Sequence, residues 1–334
     1  MAKPAIAAQE AAALFTPPPM PSAPLDESKP LTRVCFGSCY APQFKQSHVW
    51  RSILDLKPDA FLYIGDNVYQ SAETGRPDLR ELREAYGLLA SDSGFAALRA
   101  EIPVLPIWDD HDYGMNNAGA NFGPREQSEA LFKHVWAIPP DDPRSRREGI
   151  YFSRTCGPPG QRTQLILLDQ RYFLTGKTML GEKQWRWLEG VLAESADLRI
   201  IASPTPVLTQ AQRFEGWRDW PAERERLFNL LGRSNGAVIV SGDSHVGAQY
   251  RREEGLAYPL LELTASSLNF PWPEHTHVPP GPDDPTRVGP VYWESNFGAV
   301  EIDRDKREVS LALYDDAGRR QSAQTIALSQ LRAG

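Results

Sequence analysis

Short apolar runs that stop abruptly at polar, ligand-type residues recur along this chain. Phe61-Leu62-Tyr63-Ile64 has no polar alternation, the pattern of a strand buried on both faces, and Gly65 ends it just before Asp66. Val104-Leu105-Pro106-Ile107-Trp108 likewise runs into Asp109-Asp110-His111-Asp112, and Ala237-Val238-Ile239-Val240-Ser241-Gly242 runs into Asp243-Ser244-His245. A carboxylate at such a strand end sits at the carboxyl edge of a sheet, where open α/β folds bind ligands. Tyr69, three residues after Asp66, is close enough to turn its phenol back to the same point.

Between these runs the period changes. Residues 77–89 repeat apolar side chains at three and four (Leu79, Leu82, Tyr86, Leu89), which predicts a helix, and Ser91 is the expected cap of a second helix towards Ala100. Residues 48–56, 125–136, 181–192 and 222–231 predict further helices, while 31–37, 150–154, 164–168 and 198–202 predict strands. After His245 the strands predicted at 260–264, 298–302 and 309–314 have no long helix between them, and Asp315-Asp316-Ala317-Gly318 is a turn signal for antiparallel pairing. Alternation followed by a strand-rich ending predicts a layered α/β protein with mixed sheets. Residues 1–30, rich in Ala and Pro, predict an extended tail, and residues 31–330 a single catalytic domain. The Pro- and Gly-rich stretch 271–290 predicts a loop that forms a lid or rim.

Composition narrows the function classes. A net charge of −7 without a Lys/Arg run argues against a nucleic-acid surface, and no apolar stretch approaches the length of a membrane span. An acidic protein still binds phosphate where cations supply the positive charge. Three cysteines, none in a CxxC arrangement, do not make a disulfide framework or zinc knuckle.

The chemistry concentrates at the strand ends. A buried carboxylate at Asp66 needs a cation or several donors. Asp243 and His245 alternate about one residue, so in an extended segment both face the same side and suit one ligand for each of two neighbouring metals. Asn116 and Asn117 offer neutral amide oxygens, and either could serve a hard cation. Cys39 lies just past a strand end, whereas Cys35 and Cys156 read as inert thiols. Thiolate and phenolate together with Asp and His favour a trivalent metal over zinc; Asp66, Asn116 and Asp243 form an all-oxygen shell for calcium, magnesium or manganese.

The motifs FGSCY (36–40), GDNVY (65–69), WDDHDYGMNN (108–117), LDQRYF (168–173) and SGDSHVG (241–247) resemble those of the PhoD-like alkaline phosphatase family, within the calcineurin-like metallophosphoesterase superfamily. The resemblance implies ferric iron held by Cys39, Asp66, Tyr69 and His245, and calcium held by Asp66, Asn116 and Asp243, with Asp66 bridging. It also implies a sandwich of two mixed β-sheets flanked by α-helices.

The expected activity is hydrolysis of a small-molecule phosphate ester, monoester or diester, by water activated at the two metals and attacking phosphorus in line. His111 is the candidate to protonate the leaving oxygen or to hydrogen-bond a phosphoryl oxygen, with Asp110 or Asp112 orienting its ring. Arg171 either binds phosphate bidentately or pairs structurally with Asp169. A phospholipase D-like or phosphotriester hydrolase would use the same site, framed by residues 271–290 and 217–220. A non-catalytic metal-binding relative and a redox thiol enzyme are the rivals of other classes. A chain whose export leader has been removed would be periplasmic or secreted; otherwise the expectation is cytoplasmic.

Overall fold

A computed structural model describes residues 14–43, 48–211, 214–272 and 284–332. The chain proceeds as β1 (Arg33–Gly37), α1 (Val49–Asp55), β2 (Ala60–Ile64), α2 (Arg80–Ser91), α3 (Ser93–Glu101), β3 (Val104–Ile107), α4 (Asp110–Tyr113) and α5 (Arg125–Val135). It continues through β4 (Phe152–Cys156), β5 (Thr163–Leu167), α6 (Gly181–Leu192), β6 (Leu198–Ser203), α7 (Pro221–Leu231) and β7 (Ala237–Ser241). The strand-rich ending comprises β8 (Gly247–Arg252), β9 (Leu260–Ala265), β10 (Arg287–Tyr292), β11 (Asn296–Asp303), β12 (Glu308–Asp315) and β13 (Arg320–Ala327).

Among the described residues these strands form two mixed sheets, ordered β13-β12-β11-β1-β2-β3 and β10-β8-β9-β7-β6-β5-β4. In the first, β1, β2 and β3 are mutually parallel; in the second, β5, β6, β7 and β9 are. The sheets face one another, β9 against β11 and β12 and β6 against β2. Strands β2, β5, β6 and β7 are buried along their whole length, as their mainly apolar sequences favour, with Gln164 of β5 and Arg199 of β6 hydrogen-bonded within the interior. Helices α2, α5 and α6 bury one face each, through Leu82/Tyr86/Leu89, Leu131/Phe132/Val135 and Trp185/Leu188/Leu192.

Several expectations change. The cap of α3 is Asp92, not Ser91, because the Asp92 carboxylate accepts from the Phe95 backbone N–H at 2.9 Å. Residues 287–290, expected in a loop, belong to β10, which pairs with β8; residues 273–283 lie outside the described residues. Strands β8 and β13 carry Gln, Arg and Ser at alternating or consecutive positions, so no apolar run announces them; neighbour pairing makes them strands. Within the Ala/Pro-rich start, residues 14–30 have no helix or strand, yet they are tied down. Met20 N–H donates to Val135 O (2.6 Å), and Ser22 Oγ accepts from Val104 N–H (3.1 Å).

Candidate metal centre

The ends of β1, β2, β3 and β7 bring their ligand-type residues to one place. Gly65 has φ +104° and lies so close to the β3 end that a Cβ there would meet Asp109 Cβ at 2.6 Å. At Gly242 a Cβ would meet Ser38 Oγ at 2.6 Å. Both closures need the missing side chain. Cys39, Asp66, Asp243 and His245 all hold φ between 48° and 62°. Left-handed backbone costs energy for a non-glycine residue and persists where surrounding contacts impose it, commonly at functional sites.

Those contacts are visible. Asp112 accepts from the backbone N–H groups of Asp66 (3.1 Å), Asn67 (3.3 Å) and Asp109 (2.7 Å), and so clamps the turn after β2 to the turn after β3. Ser266 sits between the β1 and β7 ends. Its hydroxyl accepts from His245 N–H (3.0 Å) and lies 3.3 Å from Cys39 Sγ. Sequence reasoning missed Ser266, since only the fold brings it to both ligands.

Three candidate ligand groups emerge, each with its donor atoms within 4.8 Å of one another: Cys39/Asp66/His245, Asp66/Asp110/His111 and Asp66/Asp109/Asp110/Asp243. Asp66 belongs to all three. Tyr69 joins the first, with its hydroxyl 2.7 Å from Asp66 Oδ2 and 3.3 Å from His245 Nε2. His245 Nδ1 bonds the Phe270 carbonyl at 2.7 Å, which makes Nδ1 the protonated nitrogen and leaves the lone pair on Nε2, facing the cluster.

These residues fit cations. Asp66 Oδ1 and Asp109 Oδ2 are buried with no hydrogen-bond partner, which is costly for carboxylate oxygens unless something positive meets them. Burial, followed by the Asp109, Asp110 and Asp66 carboxylates, pushes Asp243 well above the usual carboxylate range. Burial, aided by Asp110, pushes Asp66 up to about 6 against the pull of His111. Burial also raises the Cys39 thiol and the Tyr69 phenol. The protein by itself disfavours the anionic forms, and a bound cation reverses that preference. The Cys/Asp/Tyr/His set, with sulfur and nitrogen donors, suits a transition-metal ion, and the carboxylate set an oxygen-loving divalent one.

The remaining expected residues fall differently. His111 Nδ1 bonds Glu73, so its ring is oriented by Glu73, not by Asp110 or Asp112; Asp110 Oδ1 instead accepts the His111 backbone N–H at 3.0 Å. Glu73 also accepts from Asn116 N–H (2.7 Å), which ties three segments together. Burial opposes charge on His111, but Asp66, Glu73 and Asp110 push its pKa up to about 10. Arg171 forms pairs with other carboxylates in place of the expected side-chain pair with Asp169. Its guanidinium, 1% exposed, binds Asp109 and, at 2.6 Å, Glu215. Asp169 instead accepts from the Arg171 and Tyr172 backbone and from Trp108 Nε1.

Asn116 and Asn117 are exposed at the rim of a cavity of about 680 Å³, and Asn117 N–H donates to Asp110 Oδ2 at 2.6 Å. Among the carboxylates, those gathered with Asp66 and Asp243 are Asp109 and Asp110, the first of which sequence reasoning left unassigned. Trp217 is buried and donates to Ser203 Oγ (3.0 Å), whereas Trp220 lines a cavity of about 320 Å³ with Asn117 and Glu215.

A family model of PhoD-like phosphatases matches residues 34–135 and 142–313. Alkaline phosphatase D of Bacillus subtilis (strain 168) is 22% identical over 276 residues, covering 65% of this chain and 46% of that protein. The chain thus spans about half the length of this curated relative. The solved structure of PhoD matches with a TM-score of 0.69 at 16% identity, covering 93% of this chain and 74% of that one. GAP50, the anchor in the inner membrane complex of Plasmodium, matches with a TM-score of 0.61 at 12% identity, covering 90% and 89%. At these identities the structural likeness shows the fold alone.

Proposed function

The chain belongs to the PhoD-like phosphatase family, and on that premise we propose that it is a metal-dependent hydrolase of phosphate monoesters or diesters. The observation that carries this is the shared Asp66, whose carboxylate meets Cys39, Tyr69 and His245 on one side and Asp109, Asp110 and Asp243 on the other. One carboxylate common to a sulfur/nitrogen/phenol set and an all-oxygen set is the arrangement a pair of unlike cations requires.

We assign ferric iron to Cys39, Asp66, Tyr69 and His245. Calcium, or manganese or magnesium in its place, falls to Asp66 and Asp243, with Asp110 beside them and an amide from Asn116 or Asn117 at the rim. When bound, such cations acidify water and neutralise charge developing on a phosphoryl group. The chain's own residues do the rest. Asp66 sets the spacing of the two ligand sets. His111, held through Nδ1 by Glu73, keeps Nε2 for a phosphoryl or leaving oxygen, and delivers its proton there. Arg171 neutralises Asp109 and holds Asp109, Asp110 and Glu215 in register.

No helix among the described residues is long and apolar enough to cross a membrane. A non-catalytic metal-binding relative is disfavoured by this ligand complement. Elemental analysis with the visible spectrum, paired with hydrolysis of p-nitrophenyl phosphate and bis(p-nitrophenyl) phosphate, tests the proposal. A coloured, iron-containing protein that turns over one of the esters supports it. A metal-replete protein inert to both overturns it.

A further inference from the structure

Beside the candidate iron ligands stands an aromatic group outside the main buried cluster. Phe214, Phe270 and Trp272 are each half-buried, and none is part of the main buried core. Phe270 packs instead on a separate small cluster of Cys39, Ala41 and Tyr69. All three rings surround His245, with centroids 6.0, 5.2 and 5.8 Å from the imidazole, and Phe214 and Trp272 lie 5.6 Å apart at 67°. Phe270 also meets Tyr69 edge-on at 4.8 Å.

The backbone fixes this group to the ligand loop. His245 Nδ1 bonds Phe270 O at 2.7 Å, and Trp272 N–H donates to His245 O at 3.2 Å. The backbone of Phe270 and of Trp272 is therefore tied to His245, and Phe214 joins the group through its ring contacts with His245 and Trp272. Half-exposed aromatic surface beside a polar reaction centre is how ligand pockets accept the organic part of a substrate while a few polar groups hold its charged part. Crossed rings offer both faces and edges, and these match the quadrupole of another aromatic ring better than they match a saturated chain.

We propose that Phe214, Phe270 and Trp272 form a subsite for an aromatic group esterified to the substrate phosphate. This rests on the phosphoesterase reading of the centre. His245 is then both a metal ligand and the inner edge of the subsite, so the ester's organic group lies on the iron side of Asp66. Trp272 and Phe214, farther from Cys39 and Tyr69 than Phe270 is, select the substrate without holding the metal.

The test uses the metal-loaded full chain with benzyl, cyclohexylmethyl and ethyl phosphate, whose leaving alcohols are of similar acidity, together with their methyl diesters. The expected kcat/KM for benzyl exceeds that for ethyl by about tenfold, mainly through KM, and exceeds that for cyclohexylmethyl. Trp272→Leu and Phe214→Leu keep apolar bulk without the ring. Each should reduce the benzyl-to-ethyl ratio several-fold at unchanged metal content. Equal losses on all three esters, or parity of benzyl with cyclohexylmethyl, would overturn the subsite. If no ester is hydrolysed, the phosphoesterase reading fails. The subsite is then decided by calorimetric binding of benzylphosphonate against ethylphosphonate: a preference that Trp272→Leu abolishes sustains it, and no preference ends it.

Discussion

Glu73 holds the imidazole of His111 through Nδ1 while its other oxygen accepts the backbone N–H of Asn116. One carboxylate therefore sets both the tautomer of the candidate acid and the position of the amide-rich loop beside it. Glu73→Gln keeps the shape but loses the charge that steadies a protonated imidazole. We expect kcat to fall about 10- to 100-fold with KM little changed. Elemental analysis should show both metals retained; loss of metal in this variant would refute a role confined to His111.

Tyr69 and Cys39 belong to one ligand set, and Asp243 groups with Asp66, Asp109 and Asp110 in the other. Tyr69→Phe should weaken and shift the visible absorption, because the phenolate-to-iron transition is gone while that of the Cys39 thiolate remains. Asp243→Asn should instead lower the divalent content and keep the colour. If the two variants lose the same metal, the division into unlike sites is wrong.

Arg171 is buried against Asp109 and Glu215. Its removal leaves carboxylates unneutralised in the interior, so Arg171→Ala should cost about 3–5 kcal/mol of stability. Denaturant unfolding of the variant measures it. A normal midpoint with a raised KM would show that Arg171 serves phosphate after all.

Asp66 has its pKa raised to about 6, chiefly by burial. A carboxyl raised in the folded state contributes stability that is full below its unfolded pKa, near 3.8, and lost as pH rises through about 6. The metal-free protein should therefore melt higher at pH 5 than at pH 7. With cations bound the order reverses, since protons compete for the same oxygens. Thermal melts with and without chelator at the two pH values decide this; a metal-free protein that melts higher at pH 7 contradicts it.

Much of the centre was legible from local pattern. Apolar runs that stop at acid or imidazole located the ends of β2, β3 and β7, because a strand buried on both faces carries few polar residues until it leaves the sheet. The same rule located Cys39 after β1. It is blind to partners that carry no such run. Glu73 lies in an irregular stretch, Ser266 just past the end of β9, and Glu215 in a loop, and each acts on a residue at least 38 positions away. One of the two readings of Arg171 failed for the same reason: sequence proximity suggested Asp169 as its structural partner, whereas the sandwich placed Asp109 and Glu215 at its guanidinium.

The order of elements, the buried strands and the residue types that end them follow from hydrophobic periodicity, which is a local property of the chain. Which charge faces which does not. It depends on two sheets packing face to face, so that strand ends far apart in sequence meet across one carboxylate. Only there do burial and mutual repulsion decide which side chains are neutralised by one another and which are left to a cation.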